Sequence, residues 1–143
     1  MSATGEAVTR PHPDPMPPAR PFFEGAAQGK LLVQRCPNCS KFTFYAHYLC
    51  PSCQHSPLEW VESAGAGSVY TFTIVRQHPD PYFANKVPYV YAVVTLDEGP
   101  RLVTNIEGID PEAVTCDMRV KVAFEPIGAG MAVPIFRPLI GDA

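Results

Sequence analysis

Four of the five cysteines form two Cys-x-x-Cys pairs, and this spacing is typical of a metal site. A two-residue spacer lets one tight turn present two thiolates to the same ion, and two such turns supply the four tetrahedral ligands of structural zinc. A full set of thiolates leaves no open coordination position, so we predict a structural Zn²⁺. Iron is the alternative, because sulfur ligation alone does not separate the two metals. The predicted ligands are Cys36, Cys39, Cys50 and Cys53.

Other chemistry at these residues is less well supported. A redox-active Cys-x-x-Cys occurs singly, at the start of a helix that follows a strand, and that context is absent from the sequence. His47 and His55 flank cysteines, but four thiolates leave no need for either as a ligand. The spare thiol, Cys116, fits an inert residue at a strand edge or turn, and a zinc tetrad with one free thiol fits a reducing compartment.

With the thiolates on the metal, no set of nucleophile, base and oxyanion hole can be assembled from the sequence. We therefore predict a chain that works by binding. Aromatic side chains dominate the energetics of protein interfaces, so they are the candidates for a partner interface, although they could instead cover the chain's own core or cap the barrel. These candidates are Phe22, Phe23, His78, Tyr82 and Phe83.

The elements that position these residues are mainly β. Five segments rich in β-branched and aromatic residues follow Trp60, with glycine turns and no long helix, which favours a five-stranded OB-fold barrel over residues 61–143. An SH3-like barrel is the alternative. The five predicted strands are residues 66–75, 87–96, 101–106, 118–125 and 131–136.

Three further units precede the barrel. Residues 1–20 are rich in proline and poor in large apolar groups, so we predict a flexible arm. Residues 21–32 carry apolar groups at helical spacing and predict a short helix, with Pro21 acceptable in its first turn. Residues 33–60 hold the cysteines and predict the zinc ribbon.

Length and charge narrow the function further. A chain of 143 residues is long enough for one ordinary domain and a small metal module. The net charge is −3, and the barrel segment has more acidic than basic residues, which argues against a nucleic-acid binder, although zinc ribbons and OB folds occur in that class. No apolar run has the length of a membrane helix, so we expect a soluble, cytoplasmic protein.

The connection between the first two predicted strands, residues 76–86, is long and carries aromatic and basic residues. Loops of this kind are often functional surfaces on a rigid barrel. Arg76, His78 and Lys86 together could bind an anionic group such as a phosphate.

Besides the cysteines, five motifs occur in order along the chain: Pro21-Phe22-Phe23-Glu24-Gly25, Leu31-Leu32-Val33-Gln34-Arg35-Cys36, Gly65-Ala66-Gly67-Ser68-Val69-Tyr70-Thr71-Phe72-Thr73, Pro88-Tyr89-Val90-Tyr91-Ala92-Val93-Val94-Thr95-Leu96-Asp97-Glu98-Gly99 and Pro134-Ile135-Phe136-Arg137-Pro138. Through these motifs the chain resembles a known family, in which a rubredoxin-like zinc ribbon is joined to an OB fold and which is associated with acyl-CoA enzymes. This family was long catalogued as a domain of unknown function. The resemblance extends from about Pro21 to Pro138 and excludes the proline-rich arm.

The resemblance implies a non-catalytic subunit with structural zinc, assembled with a thiolase-like enzyme that makes or breaks carbon–carbon bonds in acyl-CoA substrates. A hotdog-fold enoyl-CoA hydratase and a thiolase-like aldolase are the alternative partners. A symmetric complex would hold two copies of this chain per partner dimer. Acyl-CoA would be a shared ligand, and the cations offered for it are Arg76, Lys86 and Arg101. One departure from the family pattern is Cys116-Asp117-Met118, at the turn before the fourth barrel strand.

Overall fold

A computed structural model describes residues 10–139 of the chain. Two helices and eight strands are found among these residues, together with 3₁₀ turns at Pro17–Ala19 and Pro111–Ala113. The helices are α1 (Arg20–Ala27) and α2 (Pro81–Ala84). The strands are β1 (Leu32–Arg35), β2 (Phe42–Thr43), β3 (Glu59–Glu62), β4 (Ala66–Val75), β5 (Tyr89–Leu96), β6 (Arg101–Ile106), β7 (Arg119–Gly128) and β8 (Met131–Pro138).

The last five strands close into a barrel in the order β4-β5-β6-β8-β7. All neighbours are antiparallel except β6 and β8, which meet in parallel at Ile106 and Phe136. This strand order is that of an OB fold, so the predicted fold class is confirmed. The strand segments were predictable because β-branched and aromatic residues fit a half-buried pleated surface.

The zinc ribbon is a small sheet with the order β2-β1-β3. Its central strand contributes Val33, which is fully buried, to the same hydrophobic cluster as the barrel residues Val69, Leu102 and Phe136. Because one core runs through both modules, the ribbon has a fixed position on the barrel.

A carboxylate reinforces this junction. Glu98, after β5, accepts hydrogen bonds from the Ser63 hydroxyl at 2.8 Å and from the Ala64 backbone N–H at 2.8 Å. Both partners lie in the short connection between β3 and β4. Gly67, at the start of β4, packs so closely on the carbonyl of Thr95 that a Cβ atom has no room there.

Helix α1 is shorter than the predicted segment 21–32. It ends at Ala27 because the chain reverses at Gly29, which has a left-handed φ of 76° that favours glycine. Leu32 then begins β1 instead of continuing the helix. Gly25 has a packing role, since a Cβ atom there would lie 2.7 Å from the Leu32 side chain.

The described part of the proline-rich arm lies against the barrel, whereas the sequence predicts a flexible segment. The Arg10 guanidinium donates to Glu125 at 2.8 Å, and the His12 ring donates to the backbone carbonyl of Ile127. These two contacts to β7 hold an arm that has no core of its own. Residues 1–9 of the predicted arm lie outside the described residues.

The turn that departs from the family pattern continues the pairing of the barrel. Asp117 takes a left-handed φ of 68°, and its backbone N–H donates to the carbonyl of Val69 at 2.7 Å. The Val69 N–H donates in turn to the carbonyl of Met118 at 3.0 Å. Cys116 is exposed. Within residues 10–139, none of the helices has the length and apolar character needed to cross a membrane.

Candidate metal centre and surface grooves

The two Cys-x-x-Cys segments fold into matching turns. In the first turn, the N–H of Ser40 donates to the carbonyl of Cys36 at 2.8 Å. In the second, the N–H of Gln54 donates to the carbonyl of Cys50, also at 2.8 Å. Ser40 and Gln54 both have a left-handed φ of 64°. Each turn thereby directs its two sulfur atoms toward those of the other turn.

The four sulfur atoms fit a zinc ion. All of them lie within 4.8 Å of one another, with Cys36 Sγ and Cys53 Sγ 3.5 Å apart and Cys39 Sγ and Cys50 Sγ 3.6 Å apart. A tetrahedron with Zn–S bonds of about 2.3 Å has corners about 3.8 Å apart, close to these separations. The donor set therefore supports a closed, structural zinc site, as the cysteine spacing predicts.

The electrostatics of the sulfur atoms differ. The hydrogen bond from the Asn38 side chain to Cys53 Sγ, 3.5 Å long, is the main cause that lowers the pKa of Cys53 to about 6. Cys39 differs: a backbone hydrogen bond from Lys41 lowers its pKa, but burial and the neighbouring thiols outweigh this and raise the pKa to about 11. N–H groups also donate to Cys36 Sγ and Cys50 Sγ, each at 3.4 Å, and such donors stabilise the thiolate form that binds metal.

The loop between the two turns is fixed by a buried amide. Gln34, on β1, is 4% exposed; its side chain donates to the His47 carbonyl at 3.0 Å and accepts from the His47 N–H at 2.8 Å. His47 is thus held through its backbone, and the metal cluster among the described residues contains no histidine. This loop carries Phe44 and Tyr45 onto the barrel side of the ribbon.

An apolar groove lies where the arm, α1, the ribbon and the barrel meet, and its volume is about 340 Å³. Exposed apolar and aromatic side chains of the ribbon and barrel line it, with Tyr45 57%, Tyr91 47% and Val103 41% exposed. Trp60, on β3, also lines it. Arg10 is its single charged lining residue among those the structure describes.

A second groove, of about 360 Å³, adjoins the first at Arg10 and Asn105, which line both. Its lining holds two cations, Arg10 and Lys86, and two carboxylates, Glu107 and Glu125. Glu125 pairs with Arg10 at 2.8 Å and with Lys86 at 3.0 Å. Burial lowers the pKa of Lys86, but hydrogen bonds to Tyr82 and Glu125 outweigh burial and raise it. The two grooves together form one surface valley along the barrel.

The predicted interface residues fall into two groups along this valley. Phe22 and Phe23 lie on α1 and line the apolar groove. Phe22 also packs on the hydrophobic core and stands edge-on to Phe44, with ring centroids 5.2 Å apart. The helix therefore covers its own core with Phe22, while Phe23 does not belong to that core.

The second group surrounds α2. The Phe83 ring packs against the tilted His78 ring, at 4.8 Å between centroids, and stands edge-on to the Tyr82 ring, at 5.1 Å. The Arg10 guanidinium lies 5.6 Å from the Phe83 ring, and the Lys86 ammonium 4.8 Å from the Tyr82 ring. This cluster is half-buried at the end of the second groove.

The three predicted CoA-binding cations do not share one groove. Arg101 pairs in the sheet with Thr95, which pairs with Ser68, near the start of β4. Arg76 follows the other end of β4, which is about 20 Å away at the usual rise of a strand. Arg101 stacks on Tyr70 at 3.9 Å.

Arg76 is engaged differently, in an exposed ion pair with Glu112 at 2.6 Å. Of the three cations, Lys86 alone borders a groove among those described. The direct contact of any of the three with CoA stays a prediction.

Several lining residues were not identified from the sequence. The sequence does show apolar residues on both faces of β5, which is a signal for a second covered face, and Tyr91 belongs to the outer one. Arg10 carries no such signal, because its partner Glu125 lies 115 positions away.

Comparison with known proteins follows the same division of the chain. Residues 23–59 match the profile of the ChsH2 rubredoxin-like zinc ribbon domain, and residues 60–125 match that of the ChsH2 C-terminal OB-fold domain. The first profile begins within α1, so the helix belongs to the zinc-ribbon unit of the family.

Three relatives of known sequence match this chain over different lengths. A probable enoyl-CoA hydratase alpha subunit of Thermomonospora curvata is 37% identical over 119 residues, which are 83% of this chain and 37% of the relative, so this chain spans little more than a third of that protein. A DUF35 domain-containing scaffold protein of Methanocaldococcus jannaschii is 35% identical over 68% of this chain and 69% of its own. The benzoylsuccinyl-CoA thiolase subunit BbsA of Geobacter metallireducens is 28% identical over 84% and 76%.

Among solved structures, a chain of the Ltp2-ChsH2(DUF35) aldolase superposes with a TM-score of 0.83 at 35% identity. The match covers 90% of this chain and 100% of that one, so ribbon and barrel keep the same mutual arrangement in both. The chain therefore belongs to the ChsH2 family of proteins, in which a rubredoxin-like zinc ribbon is followed by an OB-fold domain.

Proposed function

We propose that this chain is a non-catalytic, zinc-containing OB-fold subunit of a heteromeric thiolase-type enzyme that forms or cleaves carbon–carbon bonds in acyl-CoA substrates. It docks on the catalytic subunit and helps to shape the acyl-CoA site. The observation that carries the accessory-subunit role is the match to a chain of the Ltp2-ChsH2(DUF35) aldolase, which covers 100% of that chain. The relative named as a benzoylsuccinyl-CoA thiolase subunit supports the thiolase class.

The chemistry of the described residues agrees with a subunit that acts by binding. The four clustered thiols form a closed ligand set, which leaves no coordination position for substrate. Both grooves among residues 10–139 lack a cysteine and a histidine along their linings. Aromatic side chains concentrate there instead, as in protein interfaces.

A partner of another class is the second candidate. The hydratase alpha subunit among the relatives favours a hotdog-fold enoyl-CoA hydratase, and the aldolase assembly favours an aldolase on the thiolase scaffold. All three enzymes act on acyl thioesters, so the proposed role of this chain is the same for each.

The deciding experiment is affinity purification of the tagged full chain from its source organism, followed by mass spectrometry. We expect a thiolase-like protein in an amount equal to the tagged chain, since a symmetric enzyme dimer binds two copies. The purified chain alone should turn over no acyl-CoA, and the complex should be active. Turnover of a thioester by the chain alone would contradict the proposal, and co-purification of a hydratase would select the second candidate.

A further inference from the structure

The apolar groove has the size and position of a ligand site. Its volume of about 340 Å³ lies within the usual range for small-molecule pockets, and it sits at the junction of several structural units, where such pockets concentrate. We propose that this groove binds the ring-bearing acyl end of an acyl thioester. This inference rests on the proposed function, which makes acyl-CoA the ligand of the complex.

The lining selects the chemistry of the bound group. Tyr45 and Tyr91 offer partly exposed aromatic faces, which favour the stacked or edge-on contacts that ring systems make. Val103, on β6, adds an apolar side chain that is 41% exposed and forms part of the groove floor. A phosphate would lose its hydration here for one compensating cation, whereas an uncharged ring loses little. The groove thus suits the acyl end of the ligand and not its nucleotide end.

Arg10 marks the polar end of the groove. Its guanidinium gives one hydrogen bond to Glu125 at 2.8 Å, and a guanidinium has five N–H donors, so further donors can reach a thioester carbonyl. Arg10 is 17% exposed and lies against Phe83, which restricts its motion. The ion pair and the ring contact place this donor at the point where both grooves meet.

The second groove then offers a path for the rest of the thioester. Both of its lining cations, Arg10 and Lys86, are paired with Glu125. Asn105 lines both grooves, and its side-chain amide donates to the Val90 carbonyl at 2.9 Å. Because no cation among the described residues of this groove is left without a carboxylate partner, the neutral, amide-bearing arm of CoA fits it better than the phosphates of CoA do.

The chain carries its own reporter for this site. Trp60 is the single tryptophan of the sequence and lines the apolar groove. We would titrate the zinc-loaded full chain with benzoyl-CoA, with acetyl-CoA and free CoA as matched controls, and follow the Trp60 emission. We expect a saturable change with benzoyl-CoA and affinity at least about 10-fold weaker for both controls, because only the ring fills the groove.

Variants locate the site. Val103→Glu places a charge on the groove floor at a partly exposed position, and we expect it to weaken benzoyl-CoA binding by about 10-fold or more. Tyr45→Ala should also weaken binding, while its control Tyr48→Ala should not, because Tyr48 is 69% exposed and lies outside the groove lining. Zinc content and thermal melting show that each variant is folded.

Three results would overturn this inference: no emission change with benzoyl-CoA, equal affinity for free CoA, or unaltered binding by Val103→Glu. These results are independent of the partner. If a catalytic subunit co-purifies and Trp60 does not respond, the groove assignment fails and the proposed function stands. If the ring binds but no acyl-CoA enzyme co-purifies, the groove assignment stands and the proposed function fails.

Discussion

Cys39 and Cys53 occupy equivalent places in the two metal-binding turns, yet their surroundings differ. Cys53 receives a hydrogen bond from Asn38, which lowers its pKa, whereas Cys39 is held among the other thiols with a raised pKa. Free Cys39 thus keeps its proton at neutral pH, and metal binding must remove it.

Replacement of a ligand should therefore unload the site. We expect Cys39→Ser to hold well under one zinc per chain and to melt at lower temperature, because a structural zinc site contributes folding free energy directly. Metal analysis and thermal unfolding measure the two effects. The exposed Cys116 provides the control, and Cys116→Ser should keep both the metal and the melting temperature. A folded, zinc-free wild-type chain would contradict the structural role.

Single substitutions can also test which of the predicted CoA-binding cations contacts the ligand. Lys86 borders the second groove, while Arg101 stacks on Tyr70 at the other end of the barrel. In the purified complex we expect Lys86→Ala to weaken the apparent affinity for acyl-CoA by about 3- to 10-fold, as for loss of one ordinary hydrogen bond of about 1 kcal/mol. Arg101→Ala should leave it unchanged. An equal effect of both variants would show that a position beside the second groove does not decide which cation contacts CoA.

At the scale of elements, the strands were predictable and the ends of the helix were not. Runs such as residues 101–106 are rich in β-branched side chains, which favour a strand locally. The end of α1 depends on Gly29, whose left-handed φ is a property of the folded turn, and on Leu32, which packs where a longer Gly25 side chain would stand. Apolar spacing alone continues through both glycines, so it overextends the helix.

Helix α1 carries one phenylalanine that packs on the core and one that does not, and single substitutions should separate their roles. Phe22→Ala removes a ring that packs on the core and on Phe44, so we expect a loss of stability of about 2 to 4 kcal/mol. Phe23→Ala should cost less stability and should reduce recovery of the catalytic partner, because Phe23 lines the groove without joining the core. Denaturant unfolding and co-purification measure the two outcomes.

The two variants serve as controls for each other. Full recovery of the partner with Phe23→Ala, at unchanged stability, would remove α1 from the predicted interface. A larger loss of stability in Phe23→Ala than in Phe22→Ala would contradict the core assignment of these two rings.

At the scale of the whole molecule, the valley is assembled from distant parts of the chain. Arg10 and Glu125 are 115 positions apart, and Tyr45 of the ribbon meets Val103 of the barrel in one lining. Cysteine spacing fixes the metal site because all four ligands lie in one short segment. The grooves could not be predicted, since they exist only after the arm, ribbon and barrel pack together.

Barrel closure includes one titratable contact. Arg119 at the start of β7 binds Asp97 after β5 at 2.8 Å and lowers the pKa of that carboxyl. A lowered pKa means that the pair stabilises the fold above the usual carboxyl pKa of about 4, and that this contribution is lost as the pH falls below it. Asp97→Asn should therefore melt slightly lower than wild type at pH 7.

The difference should disappear on acidification, when Asp97 of the wild type takes up a proton. Thermal melts from about pH 7 to pH 2.5 test this. The exposed Glu62 at the end of β3 supplies the control, and Glu62→Gln should follow the wild-type curve throughout. A constant gap between wild type and Asp97→Asn at every pH would assign the effect to packing and not to charge.

The shared hydrophobic core and the Glu98 contacts tie the ribbon to the barrel, so the apolar groove between them depends on the supply of metal. Phe44, Tyr45 and Trp60 all belong to the ribbon, so one side of the apolar groove exists only while the ion keeps that unit folded. Under zinc starvation the proposed complex would lose the groove of this chain, and with it substrate recognition, while the catalytic groups of the partner stayed in place. A metal that never meets the substrate would then set how much of the enzyme is competent.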